Sequence, residues 1–144
     1  MIVQLAIGTG LILWTVLLGA ILLWFADGFV MRRMRWLRKP QTPAAGLALF
    51  TISVLWTIAL MTFAVWSWGV SFRTLGIFPD LESAIFFSLV AFTTLGLSDL
   101  ALPYEWRLLG GFAAANGFLL FGLTAAILVD ALRVARGGLN RPDD

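Results

Sequence analysis

The sequence predicts an all-α membrane protein, with three spanning helices and a shorter apolar helix before the last of them. Three observations predict it. Hydrophobic residues make up 60% of the 144 and charged residues only 12%, a balance that fits lipid rather than water. Ile2–Phe25, Ala44–Val70 and Leu108–Val129 are each long enough to cross a hydrocarbon core of about 30 Å at about 1.5 Å per residue. The basic residues, finally, gather on one side of these spans.

The first span has no basic residue before it, and its apolar run is too long for a secretory signal, so it is expected to be retained as an extra N-terminal helix over residues 1–30. The loop over 31–43 carries Arg32, Arg33, Arg35, Arg38 and Lys39 with no acid among them. It is expected on the cytoplasmic face. Interleaved with Met31, Met34, Trp36 and Leu37, these cations suit anionic lipid headgroups rather than nucleic acid. Arg133, Arg136 and Arg141 follow the third span. Ser71–Arg107, by contrast, sets Arg73 and Arg107 against Asp80, Glu82, Asp99 and Glu105 and should face outward. The N-terminus is then outside and the C-terminus, with a frayed tail over 137–144, cytoplasmic, in the plasma membrane. Trp66, Trp68 and Trp106 fall at the expected outer interface, Trp24 and Trp36 at the inner one, and Trp14 and Trp56 mid-span as packing residues.

Cysteine and histidine are both absent, which removes disulfides, thiolate metal sites and imidazole acid–base chemistry. With no converging polar set inside the membrane, no residue suggests itself as nucleophile or base. An enzyme and a resident cofactor are therefore not expected. Proton-coupled transport is disfavoured too, because Asp27 and Asp130 lie near span ends rather than mid-span.

Between the second and third spans, the apolar run from Ser83 to Thr94 would be only about 18 Å long as a helix. It cannot cross, and irregular backbone at membrane depth requires surrounding protein or a water-filled cavity. Asp80, Glu82 and Ser83 supply capping groups at its start. Its C-terminal carbonyls should point inward at Thr93 and Thr94 and favour a cation.

The order of a short helix, then Thr94-Leu95-Gly96-Leu97-Ser98-Asp99, then a long helix resembles the pore of the potassium-channel superfamily, whose pattern is T-V-G-Y-G-D. Thr94, Leu95, Gly96 and Asp99 fit that pattern; Leu97 and Ser98 depart from it. Phe86-Phe87-Ser88 stands where the family has two aromatics and a small residue behind the filter. Trp106-Arg107-Leu108 resembles the start of the inner helix, and Gly117 is similar in position to its hinge glycine. Val90 stands where some relatives carry a buried glutamate.

The resemblance implies a pore module over 44–136, with an outer helix 44–70, a pore helix 83–94 supported at Thr93, a filter 94–99 and an inner helix 106–133. It implies a homotetramer with the first helix packed peripherally. Backbone carbonyl rings at Thr94, Leu95 and Gly96 would hold a monovalent cation, K+ or Na+, in place of its hydration shell, with Asp99 at the outer mouth. Asn116, beside Gly117, either faces the cavity or hydrogen-bonds another helix. Gly110, Gly111, Ala113, Ala114 and Ala115 should permit close helix packing. Asp130 either attracts cations at the inner mouth or pairs with Arg133 or Arg136.

Leu97 removes an aromatic brace from the filter. Ser98 puts a Cβ where the family glycine adopts a conformation that costs an L-residue about 1–2 kcal/mol. The outer half of the filter should therefore deform, and preference for potassium over sodium should weaken. The competing expectation is a non-conducting membrane scaffold or accessory subunit that retains the fold.

Overall fold

A computed structural model describes residues 2–33, 43–94 and 102–137. Four α-helices follow in order: α1 (Ile2–Arg33), α2 (Pro43–Thr74), α3 (Leu81–Phe92) and α4 (Arg107–Gly137), the last entered through a 3-10 turn at Tyr104–Trp106. No strand occurs among the described residues. Three of the helices are long and apolar enough to cross a membrane, and α3 is not.

Each helix begins and ends where local chemistry dictates. α1 continues to Arg33, so Arg32 and Arg33 extend the helix rather than open a loop at 31; Met and Arg both favour helix. α2 opens on Pro43, whose missing N–H costs nothing in a first turn. It passes the expected end at residue 70 because no breaker intervenes before Gly76. There the Gly76 N–H bonds the Arg73 carbonyl at 3.1 Å and the Ile77 N–H bonds the Phe72 carbonyl at 3.1 Å, with Gly76 at φ +71°. This is the paired closure that a left-handed glycine permits, and Arg73 in the last turn complements the helix dipole.

α3 starts two residues earlier than expected. Asp80 accepts the Ser83 backbone N–H at 2.7 Å and the Ser83 hydroxyl at 2.8 Å, which fixes the cap at Asp80. Its helical hydrogen-bonded run ends at Phe92, and Thr93 is the C-cap.

The described chain divides into two compact units. The first, Met1–Leu18 with Leu60–Phe121, holds an aromatic core. Trp68 and Phe72 of α2 meet Phe78 of the connecting segment and Phe87 and Phe92 of α3, with ring centroids 5.3–6.5 Å apart and mostly tilted or edge-on, the geometry that ring quadrupoles favour. Trp68 is fully buried there, its ring packed against Phe92 of α3, whereas Trp66 is half-exposed. Gly69 lets α3 come close, since a Cβ there would lie 2.7 Å from Ile85 Cγ1 and 3.1 Å from Ile85 Cα. Trp14, expected as a packing residue, is 55% exposed.

The second unit, Gly19–Ala59 with Gly122–Asp144, shows how polar side chains are accommodated in apolar helices. Thr51, Ser53 and Thr57 each return their hydroxyl proton to the carbonyl four residues back, at 2.9–3.0 Å.

Candidate functional site

The site lies in the first unit, where α3 ends against α4. The Thr93 side chain turns back on its own helix, its hydroxyl lying 3.0 Å from the Leu89 carbonyl and 3.1 Å from that of Val90. The Thr93 N–H also bonds Leu89, at 3.1 Å, and the Thr94 N–H bonds Ala91 at 3.0 Å. The carbonyls of Leu89 and Ala91 therefore accept hydrogen bonds from the backbone of the threonine pair, and the Thr93 hydroxyl proton is shared between those of Leu89 and Val90. These bonds arise because the hydroxyl and N–H groups of the threonine pair lie within reach of the last turn.

Thr94 then adopts φ +54°. A β-branched residue is uncommon in this left-handed region, which costs it of order 1–3 kcal/mol. Among the described residues it is the only non-glycine with positive φ. A conformational cost of the kind expected at Ser98 is thus already present at Thr94, the first residue of the motif. Leu95, Gly96, Leu97, Ser98 and Asp99 lie outside the described residues.

The residues grouped behind this turn do not act alike. Phe87 joins the aromatic core. Ser88 is fully buried, its hydroxyl bonded to the Ala84 carbonyl at 2.8 Å. Phe86 faces outward and is half-exposed. Val90 is half-buried.

Gly117 has a specific reason to be glycine. A Cβ there would lie 2.4 Å from the Phe92 carbonyl oxygen, 2.6 Å from Phe92 Cα and 2.8 Å from its carbonyl carbon. The last residue of α3 is thus seated directly on the backbone of α4. Gly110 packs under Leu102 and Phe87, whereas nothing lies within 4 Å of a Cβ at Gly111. Gly111 therefore has no close packing inside the chain and faces away from the residues that Gly110 meets. Ala113 is buried and Ala115 exposed on the same principle. Asp130 and Arg133 are both exposed.

Asn116, the neighbour of Gly117, is completely buried. Its amide Nδ2 donates to Thr15 Oγ1 of α1 at 2.7 Å, so of its two possible roles the structure displays the interhelical bond. Two further contacts join the same helices. Gly8 lies against the Phe112 ring, and Gln4 of α1 donates to the Glu105 carbonyl in the turn before α4. The first helix accordingly packs directly on α4. Sequence reasoning misses Gln4, Gly8 and Thr15, yet a signal exists: they share one helical face, spaced i, i+4 and i+11, in an otherwise apolar run.

These features define an integral membrane protein of the pore-loop class: long apolar helices, and between two of them a half-length helix that stops against the second. The chain belongs to the two-transmembrane, potassium-channel-like family of ion channels, since a family described as "Ion channel" matches residues 19–134. That family is one of channels and not of enzymes. No curated protein and no solved structure matches the chain.

Proposed function

We propose that four copies of this chain form a passive pore for monovalent cations, conducting through backbone carbonyl rings at Thr94, Leu95 and Gly96, with Asp99 at the outer mouth. The observation that carries this reading is the seat of α3 on Gly117. It brings the end of a half-crossing helix, and the left-handed Thr94 that follows it, onto the inner helix, where a re-entrant loop must begin. Family membership supports it independently. Gly111, Ala115 and Phe118 form an exposed stripe along α4; in this reading they line the cavity and meet neighbouring copies. The permeant ion is K+, with Na+ poorly excluded, because Leu97 and Ser98 remove the brace and the glycine that order an outer filter. The basic loop lies at the cytoplasmic face of the plasma membrane against anionic headgroups, and the N-terminus is outside.

Reversal potentials of the purified protein in liposomes, in mixed K+ and Na+, test this reading. Weak discrimination is expected, strengthened at least severalfold by Leu97→Tyr combined with Ser98→Gly. Strong potassium selectivity in the unaltered chain would show that Leu97 and Ser98 do not disorder the filter. Background flux from intact tetramers would establish a scaffold instead.

A further inference from the structure

We propose that α1 is a support of the filter and that Thr15 and Asn116 are positioning residues for conduction. The inference rests on the conduction reading above and deepens it. The chain of contact is short. Thr15 holds Asn116 at 2.7 Å; the next residue, Gly117, seats the backbone of Phe92; Thr93 and Thr94 follow at once and open the filter loop.

The chemistry of the pair is specific. The Thr15 hydroxyl donates its single proton to its own helix, with the Leu11 carbonyl at 2.9 Å and that of Ile12 at 3.1 Å, which leaves a lone pair for the Asn116 amide. Both side chains are buried, and Asn116 Oδ1 has no hydrogen-bond partner. The amide is thus held on the Thr15 side by that one bond. A buried donor that loses its acceptor incurs its full desolvation cost, so the pair resists separation of α1 from α4. Separation moves α4 at Gly117 and with it the seat of α3.

Gly8 and Phe112 provide an independent handle on the same contact. A Cβ at residue 8 would lie 3.0 Å from Phe112 Cβ, about half an ångström below the lower end of the spacing of about 3.5–4.5 Å that a disulfide spans, and removal of the Phe112 ring leaves room to adjust. The chain has no cysteine, so Gly8→Cys with Phe112→Cys introduces the only thiols. Oxidation then fastens α1 to α4 without touching Thr15 or Asn116.

The experiment is K+ flux per tetramer in liposomes, with the K+/Na+ permeability ratio as a second readout. Thr15→Val is expected to lower flux by up to about fivefold, the equilibrium factor carried by a hydrogen bond of ordinary strength, and to lower the permeability ratio at unchanged tetramer content. Thr15→Ser, which keeps the hydroxyl, is expected to conduct like the unaltered chain. Thr15→Val with Asn116→Leu, which leaves no buried donor unpaired and so tolerates folding, is expected to stay low. In the Thr15→Val background, oxidised Gly8→Cys/Phe112→Cys protein is expected to regain flux that the same protein loses on reduction. Equal flux from Thr15→Val and unaltered protein, no difference between oxidised and reduced states, or failure of the cysteine pair to cross-link would each overturn the assignment. Background flux from the unaltered chain instead refutes the conduction reading, and the role of α1 in conduction with it.

Discussion

Replacing Gly117 by alanine separates two meanings of a glycine in the middle of a spanning helix. If Gly117 serves only as a flexible point, the substitution stiffens α4 and gains helix propensity of about 1 kcal/mol. If it is the seat for α3, the added Cβ must fit where the Phe92 oxygen is 2.4 Å away and Phe92 Cα 2.6 Å away. Contacts under 3.0 Å essentially never occur for a real Cβ. The obstacle is backbone, with no side-chain rotamer to yield, so α3 itself must retreat. Overpacking of this kind costs about 1–3 kcal/mol, and a rigid neighbour places this site toward the upper end. After the propensity gain, a net loss of about 1–2 kcal/mol is expected. Thermal unfolding in detergent reads the stability, and liposome flux reads the proposed filter, which should suffer because Thr93 and Thr94 move with α3. Gly10→Ala in α1 is the companion measurement: nothing lies within 4 Å of a Cβ there, so it is expected to be neutral or stabilising. A Gly117→Ala protein as stable and as conductive as the unaltered one would refute the seat.

Two further outcomes follow from the fold. Phe72 is fully buried and touches the rings of Trp68, Phe78 and Phe87, so Phe72→Ala should cost about 3–5 kcal/mol in unfolding free energy; a loss under about 1 kcal/mol would show that the aromatic core does not hold α2 to α3. Asp80 is held below the usual carboxylate range, chiefly by the Ser83 backbone N–H and next by the Ser83 hydroxyl. A depressed folded value means that its contribution is complete above the unfolded titration near pH ~4 and fades as pH falls through the lower folded value. The melting-temperature gap between the unaltered protein and Asp80→Ala should therefore be constant at neutral pH and narrow only below about pH 4; a gap already closing at about pH 6 would contradict the cap.

Length and hydropathy make the three spans legible, because a membrane helix needs little more than an unbroken apolar run. Asp80 is legible as a cap for the same reason: its chemistry is local. The boundaries shift where a stop signal lies beyond the apolar run, as at Gly76 after α2. The burial of Trp68 is not legible, because composition says that a tryptophan sits near an interface but not which way it points. The α1–α4 contact is hidden more deeply. Thr15 and Asn116 are 101 positions apart, and either one alone reads as a tolerated polar residue in an apolar helix. Only their juxtaposition gives them meaning. Thr93 illustrates the converse: its hydroxyl bonds back to the last turn of its own helix, a side-chain rotamer that composition and spacing do not specify.

Asn116 and Gly117 also bear on α4 as a rotating body. Successive residues on an α-helix point about 100° apart, so one turns to α1 and the next to α3. A helix in lipid slides and spins at little cost where its surface is uniformly apolar. α4 cannot spin freely, because any rotation that preserves one of these contacts as it stands destroys the other. The two positions thus act as a key that sets the azimuth of the helix, and with it the face α4 turns away from its own chain. Inserting a single residue between Gly110 and Asn116 would keep every span long enough and every composition rule satisfied, yet would turn the start of α4, Gly110 included, by about 100° relative to that key.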